Sequence, residues 1–141
     1  MLRQARRPDV AAMQRIRRAV KENRLVSIVI SDSDVIHAME DTGRGWVVEK
    51  DGEIVGFGIA NRENRSIWAI FIDPDQERQG FGRQLLDAMT AWLWGEGSDP
   101  IWLTTEPGTR AERFYAEAGW KRTGMTSSGE IRFELERCRT G

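Results

Sequence analysis

The stretch from Ile67 to Trp94 limits the fold more than any other part of this chain. It opens with an unbroken apolar run up to Ile72, which is typical of a strand covered on both faces. Asp73-Pro74 ends that run, a loop with two glycines follows, and apolar residues then recur at helical spacing. The sequence therefore predicts a strand, a glycine loop and a helix in direct succession, a connection typical of α/β folds.

Two helices are predicted ahead of this stretch, over residues 9–21 and 33–40. Apolar residues recur at helical spacing in the first helix, and Asp9 is placed to cap it. The apolar run 26–30 between the two helices fits either a short strand or an apolar loop. Strands over 46–49 and 53–57 come next and flank Asp51-Gly52, a hairpin signal because glycine adopts positive φ.

A short strand over 101–104 and a fourth helix follow the central stretch. Thr109 is placed to cap this helix, with Glu112 three residues later for a capping box, and Gly119 is expected to end it. The outgoing strand of a closing hairpin alternates apolar and polar residues over 131–136. The order is helix, helix, three strands, helix, strand, helix and two strands, which predicts one α/β domain over residues 1–141 around a mixed sheet.

Composition and charge exclude several classes of protein. Hydrophobic residues make up 40% of the 141 residues and charged residues 30%, a mixture that can bury a core. The formal net charge is −1, which argues against nucleic acid as a partner, although eight basic residues precede residue 25 and leave a basic arm as an alternative. No apolar run approaches the roughly 20 residues that span a bilayer, and the Arg-rich start has no signal core, so a cytoplasmic protein without a membrane partner is expected.

Single copies of histidine and cysteine restrict the chemistry. His37 and Cys138 are the lone residues of their types, so neither an internal disulfide nor a cysteine-based zinc site can form, and no metal is expected. A nucleophile activated by histidine would depend on His37 alone. Catalysis is therefore expected to use backbone donors, carboxylates, hydroxyls, Tyr115 or a bound cofactor.

The glycine loop is the strongest candidate for a binding site. The first N–H groups of a helix have no partner within the helix and carry partial positive charge. Gly80 and Gly82 have no side chains to keep a ligand from those groups, and Arg78 and Arg83 add positive charge. The pattern predicts a cradle for a diphosphate, although two glycines alone also fit a tight turn.

The loop and a second motif carry a resemblance to a known family. Ile70 to Pro74 followed by Arg78 to Leu86 resembles the acetyl-CoA signature of the GNAT N-acetyltransferase superfamily, and Ala111 to Trp120 is similar to its second signature. Three positions differ: Glu77 stands where Gln or Arg is usual, Arg78 where Gly is frequent, and Gly108 where Asn is common. The first difference concerns a diphosphate contact, and the last removes a side chain that Thr109 would partly replace.

The resemblance implies the fold and the cosubstrate. The implied fold is GNAT-like, with a mixed, mostly antiparallel sheet of about six or seven strands, about four flanking helices, and a splay between the fourth and fifth strands. The cosubstrate is acetyl-CoA, whose pantetheine arm would pair with a bulged fourth strand while its diphosphate rests on the loop amides. The residues expected to bind it are Ile70, Phe71, Ile72, Arg78, Gln79, Gly80, Phe81, Gly82, Arg83 and Thr109.

The resemblance also implies a catalytic arrangement. A freed N–H near Ile70 or Phe71 would stabilise the charge that develops on the thioester oxygen. Tyr115 matches the family tyrosine near the sulfur and would protonate the departing thiolate. Glu106 is the first candidate for the base that deprotonates the amine, and Asp73 is the second.

The acceptor is left open by the sequence. The resemblance places it against residues 15–45, with Trp46 and Trp68 as candidate contacts. A small-molecule amine and a protein or peptide amine both fit, and a homodimer also stays open. A non-catalytic acyl-CoA sensor or interaction module is the alternative to an enzyme.

Overall fold

The computed structural model describes residues 1–20, 30–97 and 100–136. Seven strands lie in these ranges: β1 (Leu2–Gln4), β2 (Gly43–Lys50), β3 (Glu53–Asn61), β4 (Ser66–Ile72), β5 (Ile101–Thr105), β6 (Lys121–Met125) and β7 (Ile131–Leu135). Four α-helices accompany them: α1 (Val10–Ala19), α2 (Asp32–Glu40), α3 (Phe81–Gly95) and α4 (Arg110–Glu117). No helix of the described residues is long and apolar enough to cross a membrane.

All the strands belong to one sheet in the order β1-β2-β3-β4-β5-β7-β6. Its neighbours pair antiparallel except β4 and β5, which are parallel. The β2–β3 hairpin turns at Asp51 and Gly52, whose φ angles of 53° and 82° belong to a type I′ turn. The predicted mixed α/β architecture and its element order are confirmed, with β1 as an additional strand.

The sheet opens between β4 and β5. These strands are in register only at Ser66 and Trp102, with a second contact from the Trp102 N–H to the Arg65 carbonyl at 3.1 Å. Beyond this point they do not pair, which confirms the expected splay between the fourth and fifth strands. Trp68 forms a β-bulge two residues after Ser66. Ile59 and Ala60 of β3 lie opposite residues 69 and 67, which leaves Trp68 unpaired, and a bulge of this kind bends the strand.

Helices cover the two faces of the sheet unequally. Four residues of α3 are buried against one face, together with Tyr115 of α4: Leu85, Leu86, Met89 and Leu93. On the other face, apolar residues of α1 and α2 pack on β2, β3 and β4. Each fully buried aliphatic side chain contributes about 1.5–3 kcal/mol, so these two clusters fix the helices to the sheet and position the loop that precedes α3.

Two capping predictions were wrong, because in both cases the carboxylate accepts hydrogen bonds from other groups. Asp9 occupies the position before α1, but its side chain makes no cap, because its carboxylate accepts both Arg3 guanidinium hydrogen bonds at 2.9 Å and the Arg6 N–H at 2.8 Å. Thr109 does cap α4, yet the Glu112 carboxylate takes the Gly108 N–H and no capping box forms. The strand or loop predicted over 26–30 lies, except for its last residue, outside the described residues, as does Cys138.

Candidate active site

The loop between β4 and α3 has a conformation that costs energy to hold. It begins with a 3-10 turn, Pro74–Gln76, in which the Asp73 carboxylate accepts the Asp75 N–H at 3.0 Å. Arg78 and Gly80 then adopt positive φ angles of 64° and 81°. Glycine adopts this left-handed conformation at little energetic cost, whereas it is unfavourable by about 1–2 kcal/mol for a residue with a side chain, so the backbone at Arg78 is strained.

This conformation leaves a row of backbone donors unused. The first bond of α3 runs from the Gln84 N–H to the Gly80 carbonyl at 3.1 Å. Within the described residues, the N–H groups of 78 to 83 make no hydrogen bond to the protein. Unpaired donors at a helix start bind anions, because the peptide dipoles add partial positive charge there.

The space in front of these donors is open. A Cβ placed on Gly80 would meet no atom within 4 Å. A Cβ on Gly82 would lie 3.5 Å from the Phe114 ring of α4, so that helix forms one wall. Protein atoms therefore leave the Gly80 side of the loop open.

Ion pairs engage several of the charged side chains around the loop. The Arg83 guanidinium lies 3.0 Å from the Asp87 carboxylate, one turn further along α3. Glu77 pairs with Arg110 at the start of α4, which compensates its negative charge and ties the loop to that helix. Arg78 is exposed and makes no ion pair within the described residues. Sequence reasoning missed Lys50, which reaches the loop from the β2–β3 hairpin and which no motif marks.

The edge of β4 presents further unused backbone groups. The Asp73 N–H donates to the Val55 carbonyl at 2.8 Å, and Phe71 lies opposite Phe57, two residues along in the same register. Because hydrogen-bonded and non-bonded pairs alternate in an antiparallel ladder, the N–H of Phe71 faces β3 and that of Ile70 faces the splay. Of the two donors expected near the thioester, the register selects Ile70, and Ile72 also presents its N–H and carbonyl to the splay.

Tyr115 lies on the inner face of α4 in an aromatic cluster. Its ring centroid is 5.2 Å from that of Phe114, 5.9 Å from Trp120 and 6.2 Å from Phe133. Tyr115 is buried, and within the described residues its hydroxyl makes no hydrogen bond. Burial raises the pKa of Tyr115 above its ordinary value near 10, which keeps the phenol protonated and able to donate.

The carboxylate candidates occupy the ends of the two splayed strands. Glu106 follows β5 and is half-buried, and its side chain or backbone already takes part in local interactions. Asp73 follows β4, where its carboxylate caps the 3-10 turn and lies 4.0 Å from the Arg15 guanidinium. Thr109 uses its hydroxyl for the Glu106 carbonyl and the Glu112 N–H.

A groove opens on the α1–α2 face beside the splay. It lies between α1, α2 and the sheet and is partly open to solvent. Trp68, which is 37% exposed at the β4 bulge, lines it together with Met13 and Phe71. Trp46 does not reach this side, because it is buried on the α3 face against the Trp92 ring.

The described residues contain no group of three or more His, Cys, Asp or Glu side chains that could hold a metal ion. The arrangement instead combines anion-binding amides, a free strand edge and a protonated phenol. Such a set can bind a phosphorylated ligand in extended form and stabilise negative charge at its far end.

Comparison with known proteins identifies relatives of this chain. The sequence profile described as the acetyltransferase (GNAT) family matches residues 12–120. The peptidyl-lysine N-acetyltransferase YjaB of Salmonella typhimurium is 34% identical over 90 residues, which are 61% of this chain and 56% of that protein. The chain thus matches little more than half the length of this relative.

Solved structures share the fold over almost the whole chain. The ribosomal-protein-S18-alanine N-acetyltransferase from Escherichia coli superposes with a TM-score of 0.79 at 20% identity, covering 100% of this chain and 96% of that one. The PaiA N-acetyltransferase from Thermoplasma acidophilum, solved in complex with coenzyme A, gives a TM-score of 0.82 at 13% identity, covering 97% and 98%. At these identities the likeness concerns the fold alone.

Proposed function

The chain belongs to the acetyltransferase (GNAT) family, and we propose that it transfers an acetyl group from acetyl-CoA to a primary amine by direct attack in a ternary complex. The observation that carries the proposal is the row of unused N–H groups from 78 to 83, open to solvent at Gly80 and next to a splayed strand edge.

Acetyl-CoA would bind along the loop and the edge of β4. Its diphosphate would accept hydrogen bonds from the amides of 78 to 83, which meet an anion without moving. Its pantetheine amides would pair with the outward-facing groups of Ile70 and Ile72, in the manner of an added strand. The acetyl thioester would then lie in the splay between β4 and β5.

Backbone and side chain would share the chemical step. The amine would attack the thioester carbonyl, whose oxygen becomes negatively charged, and the Ile70 N–H, which the strand register turns toward the splay, would stabilise that charge. As the carbon–sulfur bond breaks, the thiolate takes a proton, and Tyr115 is the proposed donor because its raised pKa keeps it protonated. The attacking nitrogen loses its second proton as the amide forms, and that proton restores the Tyr115 phenol. The products are the acetylated amine and free CoA.

The amine must lose a proton before it attacks. With a pKa of about 10.4, roughly one alkyl amine in two thousand is neutral at pH 7, a penalty of about 4.6 kcal/mol. Glu106, at the end of β5, is the proposed base, with Asp73 second because its carboxylate already caps the turn after β4. Burial of the amine against the apolar groove would offset part of the remaining penalty.

For the acceptor we propose an amine on a protein or peptide. The support is that the relative with 34% identity is named a peptidyl-lysine N-acetyltransferase, and that the groove at Trp68 is open at the sheet surface. A small amine stays the alternative. A cytoplasmic location and a homodimer also stay predictions.

A thiol-release screen tests the proposed function. Acetyl-CoA is incubated with the protein and three acceptor classes: lysine peptides blocked at the N-terminus, peptides with a free N-terminus but no lysine, and small polyamines. We expect CoA release with the blocked lysine peptides. A melting temperature raised by acetyl-CoA with no release across all classes would instead indicate the non-catalytic sensor, and a melting temperature unmoved by millimolar acetyl-CoA would refute both.

A further inference from the structure

The Lys50 ammonium reaches the loop between β4 and α3 from the β2–β3 hairpin. Lys50 is the last residue of β2, and its ammonium donates to the Gln79 side-chain carbonyl at 2.6 Å and to that of Gln76 at 3.3 Å. Gln79 in turn donates to Gln76 at 2.9 Å, so the three side chains form a closed set. Gln79 is the residue directly before Gly80, which places the ammonium one side chain away from the open amides.

The partners of Lys50 hold its position and leave its charge uncompensated. Both acceptors are neutral amides, and Lys50 makes no ion pair within the described residues. Arg83 and Arg110, by contrast, each face a carboxylate. An amide oxygen orients an ammonium without cancelling its charge, so Lys50 remains available to a phosphate.

We propose that Lys50 binds the ribose 3′-phosphate of CoA and that the Gln76–Gln79 pair positions it for that contact. This inference rests on the proposed function. CoA carries three phosphate groups, two in its diphosphate and one on the 3′ position of the adenosine ribose. The amides of 78 to 83 and the exposed Arg78 lie on the loop itself and serve the diphosphate, whereas Lys50 approaches from the neighbouring hairpin, where a phosphate that extends beyond the loop would meet it. The residue would thus distinguish CoA from the same molecule without the 3′-phosphate.

A binding cycle with two ligands and two proteins tests this assignment. Dissociation constants are measured by calorimetry for CoA and 3′-dephospho-CoA with the wild type and with Lys50→Gln. We expect the wild type to prefer CoA, Lys50→Gln to lose about fivefold to tenfold of that preference, and both proteins to bind 3′-dephospho-CoA equally. Lys50→Arg, which keeps the charge, should retain most of the preference, and Lys121→Gln on exposed β6 should retain all of it.

Two results would overturn the assignment. Equal weakening of both ligands by Lys50→Gln would place the lysine on the diphosphate, and unchanged affinities for both ligands would leave it no role in binding. A wild type that binds neither ligand would overturn the proposed function, and this inference with it.

Discussion

Replacing Gly80 by alanine separates the binding role of the loop from its structural role. Gly80 has a φ of 81°, and a Cβ there meets no protein atom within 4 Å. The substitution therefore lowers the free energy of unfolding only by the strain of an alanine in the left-handed region, about 1–2 kcal/mol, or roughly 3–6 °C in melting temperature for a chain of this size. The new methyl group enters the space proposed for the diphosphate and costs at least one N–H to phosphate hydrogen bond, which corresponds to a tenfold or greater loss of acetyl-CoA affinity.

The assay is thermal unfolding with and without acetyl-CoA. At one hundred times the wild-type dissociation constant, ligand stabilises the wild type by about 2.7 kcal/mol, or roughly 8 °C. A tenfold weaker site gives about 1.4 kcal/mol and half that shift. Gly97→Ala is the matched control, because Gly97 has a φ of 88° and equally open surroundings at the far end of the 15-residue α3, about 22 Å away. If Gly80→Ala kept the full ligand shift, the diphosphate would not lie on this loop.

Three further substitutions test other parts of the account. Tyr115→Phe keeps the ring packing and should lower turnover by about 10²–10⁴ with little change in acetyl-CoA affinity. Because the pKa of Tyr115 is raised, deprotonation of this phenol should not reduce the wild-type rate below about pH 10. A variant with wild-type turnover would show that Tyr115 is not the proton donor. Glu106→Gln should lower turnover by about 10²–10⁴ with little change in acetyl-CoA affinity, and a variant with wild-type turnover would exclude Glu106 as the base. The Arg3 hydrogen bond lowers the pKa of Asp9, so this carboxylate stabilises the fold above its unfolded pKa near 3.9, and the contribution disappears as the pH falls through the lower folded value. Asp9→Asn should therefore unfold about 1–3 kcal/mol more easily at pH 7 and lose less stability below pH 4, and denaturant curves of equal midpoint at pH 7 would contradict this.

The central elements were predictable because their signals are local. An apolar run, a proline, two glycines and helical periodicity lie next to each other in the chain, and β4, the loop and α3 follow them directly. Asp51-Gly52 likewise specifies its turn through φ angles that few residues adopt. Such features require no knowledge of distant residues.

What the sequence did not reveal depends on contacts between distant residues. β1 has no alternating pattern, and it forms because Leu2 to Gln4 find partners in β2 more than forty residues away. Asp9 does not cap α1 because its carboxylate binds the Arg3 guanidinium, and the negative charge of Glu77 is compensated by the Arg110 guanidinium. Lys50 reaches the loop only through the hairpin, so no motif could have shown it.

The backbone N–H proposed to stabilise the thioester oxygen could be assigned only from the strand register. Sequence and resemblance could not decide whether the N–H of Ile70 or that of Phe71 faces the splay, because the backbone groups of neighbouring strand residues point to opposite sides and only the pairing register shows which is which. One hydrogen bond, from Asp73 to Val55, fixes which of the two faces the splay. The bulge at Trp68 shifts this alternation by one residue relative to the start of β4, an effect that composition cannot show.

Amide NMR during titration with CoA tests the central claim most directly. The account predicts that the backbone N–H signals of Gly80, Phe81 and Gly82 move furthest downfield, as donors to a diphosphate, and that those of Ile70 and Ile72 follow while Phe71, already bonded to β3, moves least of these strand signals. Saturable binding of CoA that left the signals of residues 78 to 83 in place would contradict the account.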